Sequence, residues 1–68
     1  MRELAPVKPQ RLVNYLLKHG FSGPYHVEKY RFMTRGEMRL RLPDTAEENL
    51  IGVQILRRIL TLAGIKLD

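Results

Sequence analysis

The chain lacks cysteine altogether. That absence excludes disulfides, thiolate nucleophiles, zinc-finger sites and iron–sulfur clusters in one step. It also lacks tryptophan and any apolar run near the roughly 18 residues needed to span a bilayer. No basic-then-apolar leader opens it, so a cytoplasmic domain is expected. No Walker loop, dinucleotide fingerprint or nucleophile elbow occurs, and Gly20 and Gly23 do not make one. His19 and His26 stand seven apart with no third ligand candidate close by, so no metal and no cofactor is expected. Acidic residues are few. Twelve Lys and Arg against seven Asp and Glu leave a formal charge of +5, a balance that favours a polyanionic partner, RNA foremost.

What is present is enough for one small core. A chain of 68 residues with 44% hydrophobic content is too apolar for disorder and too short for two domains. Residues 1–68 are therefore read as a single domain, with residues 1–5 a flexible arm that shows no periodicity. Pro9 suits the first turn of a helix, and Leu12, Val13, Leu16 and Leu17 follow at helical spacing. Gly20 supplies a left-handed stop, so the first helix is expected over about 9–19. Gly23-Pro24 restricts any strand there to a short or edge one. From Glu28 the period becomes two. Tyr30, Phe32 and Thr34 are expected on the core side, with Lys29, Arg31, Met33 and Arg35 opposite. Arg35-Gly36-Glu37 reads as a hairpin turn, and Met38, Leu40 and Leu42 as the inner side of the returning strand.

The polar stretch Asp44 to Asn49 is a loop in which Thr45 and Glu48 could form a capping box. The second helix is expected to begin near Ile51. Its buried stripe reads Ile55, Leu56, Ile59, Leu60 and Ala63, with Leu62 on the flank, and Gly64 stops it. The fold class is α+β: two helices on one face of an antiparallel sheet, in the order α-β-β-β-α or α-β-β-α. Leu12, Leu16, Phe32, Leu40, Leu42, Leu56, Ile59 and Leu60 are the expected core.

The candidate nucleic-acid-binding residues are Lys29, Arg31, Arg35, Arg39 and Arg41. Alternation is expected to set most of them on the sheet face opposite Phe32 and Leu40, where they would track phosphates. Tyr25 and Tyr30 are candidates for stacking on unpaired bases.

Three segments carry a family resemblance. Pro6-Val7-Lys8-Pro9-Gln10-Arg11-Leu12-Val13, with Leu17 and Gly20-Phe21, resembles the first helix of HicA-type (YcfA-like) toxins. Gly23-Pro24-Tyr25, then Lys29 and Phe32-Met33, is similar to the family's Gly-Pro-aromatic-x-Gly-Gly-Lys-His-x-Phe-Met segment. Ile51-Gly52-Val53, Leu56-Arg57-Arg58-Ile59-Leu60 and Ala63-Gly64-Ile65 resemble its last helix. The resemblance spans about residues 6–65. It implies a fold like a double-stranded-RNA-binding domain and a metal-independent mRNA endoribonuclease of a toxin–antitoxin pair. It further implies a HicB-type antitoxin as protein partner.

The resemblance also implies that the catalytic histidine position is held by Tyr30, with Val27 and Glu28 where the family has two glycines. The loop Pro43 to Ile51 lacks the histidine found there in relatives. A phenol ordinarily titrates near pH 10, so it is a poor substitute for imidazole in acid–base work at neutral pH. The expectation is an RNA-binding toxin-fold domain with impaired or absent ribonuclease activity. The alternative is a protein-interaction or homodimerisation module on the same fold, without nucleic-acid binding.

Overall fold

A computed structural model describes residues 4–46 and 48–65. The elements run α1 (Pro9–Lys18), β1 (Ser22–Val27), β2 (Tyr30–Arg35), β3 (Met38–Arg41) and α2 (Val53–Leu62). This is the expected α-β-β-β-α order. The sheet is antiparallel throughout, ordered β1-β2-β3. Of the expected arm, residues 1–3 lie outside the described residues, and Leu4 packs against the core.

α1 starts at Pro9, whose missing N–H costs nothing in a first turn. Its buried residues are Pro9, Leu12, Val13 and Leu16, while Leu17 is turned to solvent. Both helices end in the same way. Gly20 (φ +91°) donates to the Leu17 carbonyl and Phe21 to the Leu16 carbonyl. Gly64 (φ +76°) donates to Thr61, and Ile65 to Leu60. This is the Schellman pattern, in which a left-handed glycine turns the chain back. It folds Phe21 and Ile65 onto the core, where both are buried.

One core gathers both helices and the sheet. It contains Leu12, Val13 and Leu16 of α1, Met33 and Leu40 of the sheet, Leu42, and Leu56, Ile59 and Leu60 of α2. Seven of the eight expected core residues are buried; the exception is Phe32, which is half-buried. Strand residues alternate between faces, and Met33 pairs with Leu40 while Phe32 pairs with Arg41. Met33 therefore faces the helices, and Phe32 faces away with Tyr30 and Thr34. The expected inner side of β2 is the outer one. The physical reason is the turn. Arg35 pairs with Met38, so the loop is the two residues Gly36-Glu37, with Gly36 at φ +61°. A three-residue turn would have paired Phe32 with Leu40; shortening it by one residue flips every side chain of β2.

The flip puts Arg35 under the helices rather than on the open face. Its Nη1 donates to the His19 carbonyl (3.2 Å) and its Nη2 to the Ala63 carbonyl (2.9 Å). Those are the C-cap residues of α1 and α2. The guanidinium also lies 4.6 Å from the Phe21 ring centroid. One cation thus meets the partial negative charge of both helix ends. A Cβ on Gly20 or Gly64 would make ordinary contact with the Arg35 side chain at 3.6 Å, so it is the positive φ of each that calls for glycine.

β1 is an edge strand, as Gly23-Pro24 requires. Its pairing slips between Ser22 and Tyr25, and the Gly23–Pro24 bond is cis. Val27 pairs with Tyr30, leaving Glu28-Lys29 as the turn, with Glu28 at φ +57°. Between β3 and α2 no capping box forms at Thr45, and α2 begins at Val53 behind Gly52. Ile51 instead exchanges two hydrogen bonds with Val7 (3.2 and 2.6 Å), tying the N-terminal segment to the approach to α2. On α2 the expected stripe is narrower than its apolar residues suggest: Ile55 and Leu62 are 47% and 61% exposed.

Two measurements test this account. Arg35→Ala should lower the unfolding free energy by about 1.5–3 kcal/mol in urea denaturation, the range for hydrogen bonds to a charged group. Arg35→Lys should recover only part of it, because one ammonium does not reproduce the fork that spans two carbonyls. Leu56→Ala should cost roughly 2–5 kcal/mol by the same measurement. In a domain this size that loss is enough to leave the chain unfolded at 37 °C.

Candidate functional site

The five expected cations do not form one row. Arg31 and Arg35 share the helix side of β2 with Met33, while Arg39 and Arg41 project from the open face with Phe32 and Tyr30. Lys29 sits in the β1–β2 turn. The expectation of one cationic face opposite Phe32 and Leu40 is therefore corrected, since Phe32 and Leu40 themselves lie on opposite faces. Two of the four strand arginines took the helix side because β2 turned over.

A cleft of about 350 Å³ nevertheless brings most of them together at one end of the sheet. Lys29 and Tyr30 come from the β1–β2 turn and the start of β2, Arg31 from β2, and Arg41 from the end of β3. α2 closes the other side with Arg58, and with Ile55 and Leu62 as an apolar wall. His26, paired with Arg31 across the strands, lines it too. Asp44 is the carboxylate among the lining residues. Four fixed cations against one acid make the cleft strongly positive.

The geometry around Tyr30 is defined by Arg41. The Arg41 guanidinium carbon lies 4.0 Å from the Tyr30 ring centroid, within cation–π range. That contact holds the guanidinium over the phenol ring, and a guanidinium so placed can offer its N–H groups to an anion in a bidentate manner. Arg39 repeats the arrangement on Phe32 at 4.9 Å, and Tyr25 packs on the other side of Phe32 with ring centroids 5.7 Å apart. Arg35 takes no part; it is engaged with the two helix ends.

Two cleft residues escaped the sequence reading. His26, considered in the sequence only as a metal ligand, is the fifth residue of β1. Arg58 lies outside the apolar stripe expected for α2. A signal for it exists: Ile55, Arg58, Ile59 and Leu62 recur at helical spacing along one side, so the apolar flank and the cation share a wall. Among the described residues no polar or charged side chain is buried, and no three potential metal ligands come together. The cleft offers exposed charge, a phenol and an imidazole.

A second groove, of about 810 Å³ and more open, runs along the outer side of α1. Lys8, Arg11 and Lys18 line it with Tyr15. It adds positive surface, and none of the candidate residues Lys29, Tyr30, Arg31, Arg35, Arg39 and Arg41 lies in it. Compared with known proteins, the chain matches no family model, no curated protein and no solved structure. No helix among the described residues is long and apolar enough to cross a membrane.

Proposed function

We propose that the protein is a HicA-like RNA-binding domain of the toxin–antitoxin kind, with ribonuclease chemistry weakened by Tyr30 at the position of the family's histidine. The observation that carries this reading is the cleft. Lys29, Arg31, Arg41 and Arg58 line one cleft with Tyr30, so a phosphate backbone would have a cationic track leading to the residue that the resemblance marks as catalytic. Arginine suits such a track because its planar fork grips phosphate at two points. The domain needs no cofactor for this role, and its natural site of action is the cytoplasm.

Tyr30 alone is a weak acid–base group at neutral pH. His26 lines the same cleft, and imidazole is the side chain best suited to proton transfer near pH 7. It comes from β1 rather than β2, so it approaches a bound strand from another side than the family's histidine would. Binding with little cleavage is the expected behaviour.

A docking module is the second reading, favoured by the exposure of Ile55 and Leu62 beside the cleft. On this reading the cations steer an acidic HicB-type antitoxin, whereas a second copy of the chain, itself at +5, would meet it through Ile55 and Leu62. A salt titration separates the two readings. RNA affinity should fall steeply with salt, and Lys29→Ala with Arg58→Ala should each flatten the slope of log affinity against log salt by about 0.7. A wild-type slope near zero would remove the RNA reading.

Catalysis is tested with metal chelated throughout. Wild type should leave RNA intact over hours, and Tyr30→His should introduce cleavage if the scaffold still positions the strand. Robust wild-type cleavage lost in His26→Ala would make the imidazole of β1 the working group. Cleavage lost in Tyr30→Phe would instead make this a tyrosine-dependent nuclease.

A further inference from the structure

The sheet face turned away from the helices is built from flat side chains. Register puts Tyr25, Tyr30, Phe32, Arg39 and Arg41 on it together. Tyr25 and Tyr30 are 46% and 45% exposed. Their rings and the Phe32 ring are interleaved with two guanidinium planes: Arg39 over Phe32, Arg41 over Tyr30, and Tyr25 tilted by 38° against Phe32. No carboxylate occurs anywhere in the three strands. A face meant only for water has no need of three rings, and a face meant for an apolar partner has no use for guanidinium groups laid across them.

We infer that this face is a stacking platform for unpaired bases of a single-stranded RNA, continuous with the cleft through Tyr30 and Arg41. The inference rests on the RNA-binding reading and names its substrate class. Rings and guanidinium planes both stack on the π-face of any base, and that face is hidden inside a duplex. Neighbouring strands lie about 5 Å apart and successive outward residues about 6.5 Å, so the platform has room for two or three bases. Tyr30 and Arg41 belong both to the platform and to the cleft lining. A strand leaving the platform therefore meets the cations Lys29, Arg31 and Arg58 next.

The test uses the intrinsic fluorescence of the tyrosines, undisturbed because the chain has no tryptophan. A short oligouridine and a blunt RNA duplex with the same number of phosphates are titrated at fixed low salt, and binding is followed in parallel by anisotropy. Oligouridine should bind more tightly and quench tyrosine emission; the duplex should not quench it. Tyr25→Leu should weaken oligouridine binding about 5- to 100-fold, the value of one stacked base. Arg41→Lys should weaken it while leaving the salt slope unchanged, because the charge stays and the plane is lost. Tyr15→Leu, on the outer side of α1, is the control expected to have no effect. All three residues are exposed, and circular dichroism checks that each variant is folded.

Duplex binding as tight as oligouridine, or a Tyr25→Leu variant within about twofold of wild type, overturns the platform. If the Lys29 and Arg58 variants still lose affinity in that case, the RNA-binding reading survives without it. If neither RNA binds even at low salt, both fall together.

Discussion

Met33 stands opposite Leu40, and the rest of the domain follows from that pairing. It directs the unbranched thioether of Met33 into the gap beneath two helices, a place such a flexible side chain fills well. By alternation it also sends Arg35 to the same side and Phe32 to the other. Arg35 then finds two helix C-termini within reach, each left with carbonyls that no intrahelical donor satisfies. The helices converge on one guanidinium, and the sheet face behind them is free to carry rings and cations. A single register choice separates what holds the molecule together from what it shows to a partner.

The element order was legible because its punctuation is strong. Pro9 at a helix start and glycines at Gly20 and Gly64 leave little room for other readings, and both helices and their stops fall where those residues put them. The sheet faces were not legible from β2 alone. Phe32 and Met33 are adjacent and both apolar, so local alternation supports either phase. The information lay in the turn. Leu40 must point inward with Leu42, and a two-residue Gly36-Glu37 loop then leaves Met33 as its partner. Reading the loop one residue longer assigns the core to Phe32. Small helix errors have a similar origin: Ile55 and Leu62 are as apolar as their neighbours, but a three-stranded sheet is too narrow to cover them.

Much of the cleft could be read from sequence, though by a different route than alternation. Lys29, Tyr30 and Arg31 are consecutive at a turn, so they cluster whichever way β2 faces. Arg41 joins them because β3 runs antiparallel and ends beside the start of β2. His26 and Arg58 needed the third dimension. One depends on β1 extending past its Gly-Pro break, the other on α2 crossing behind the sheet. Arg35 and Arg41 are the same residue type on neighbouring strands, and nothing in their flanking sequence distinguishes a structural guanidinium from an accessible one.

The edges of the sheet have a bearing on how the protein behaves when crowded. An exposed strand edge is an invitation to pair with another chain. β1 declines it through the irregularity between Ser22 and Tyr25 and through Pro24, which has no N–H to offer. β3 is only four residues long, and two of its residues are arginines that repel their own kind in a second copy. A molecule with so much aromatic surface on its sheet thus has both flanks guarded against growing into a longer one.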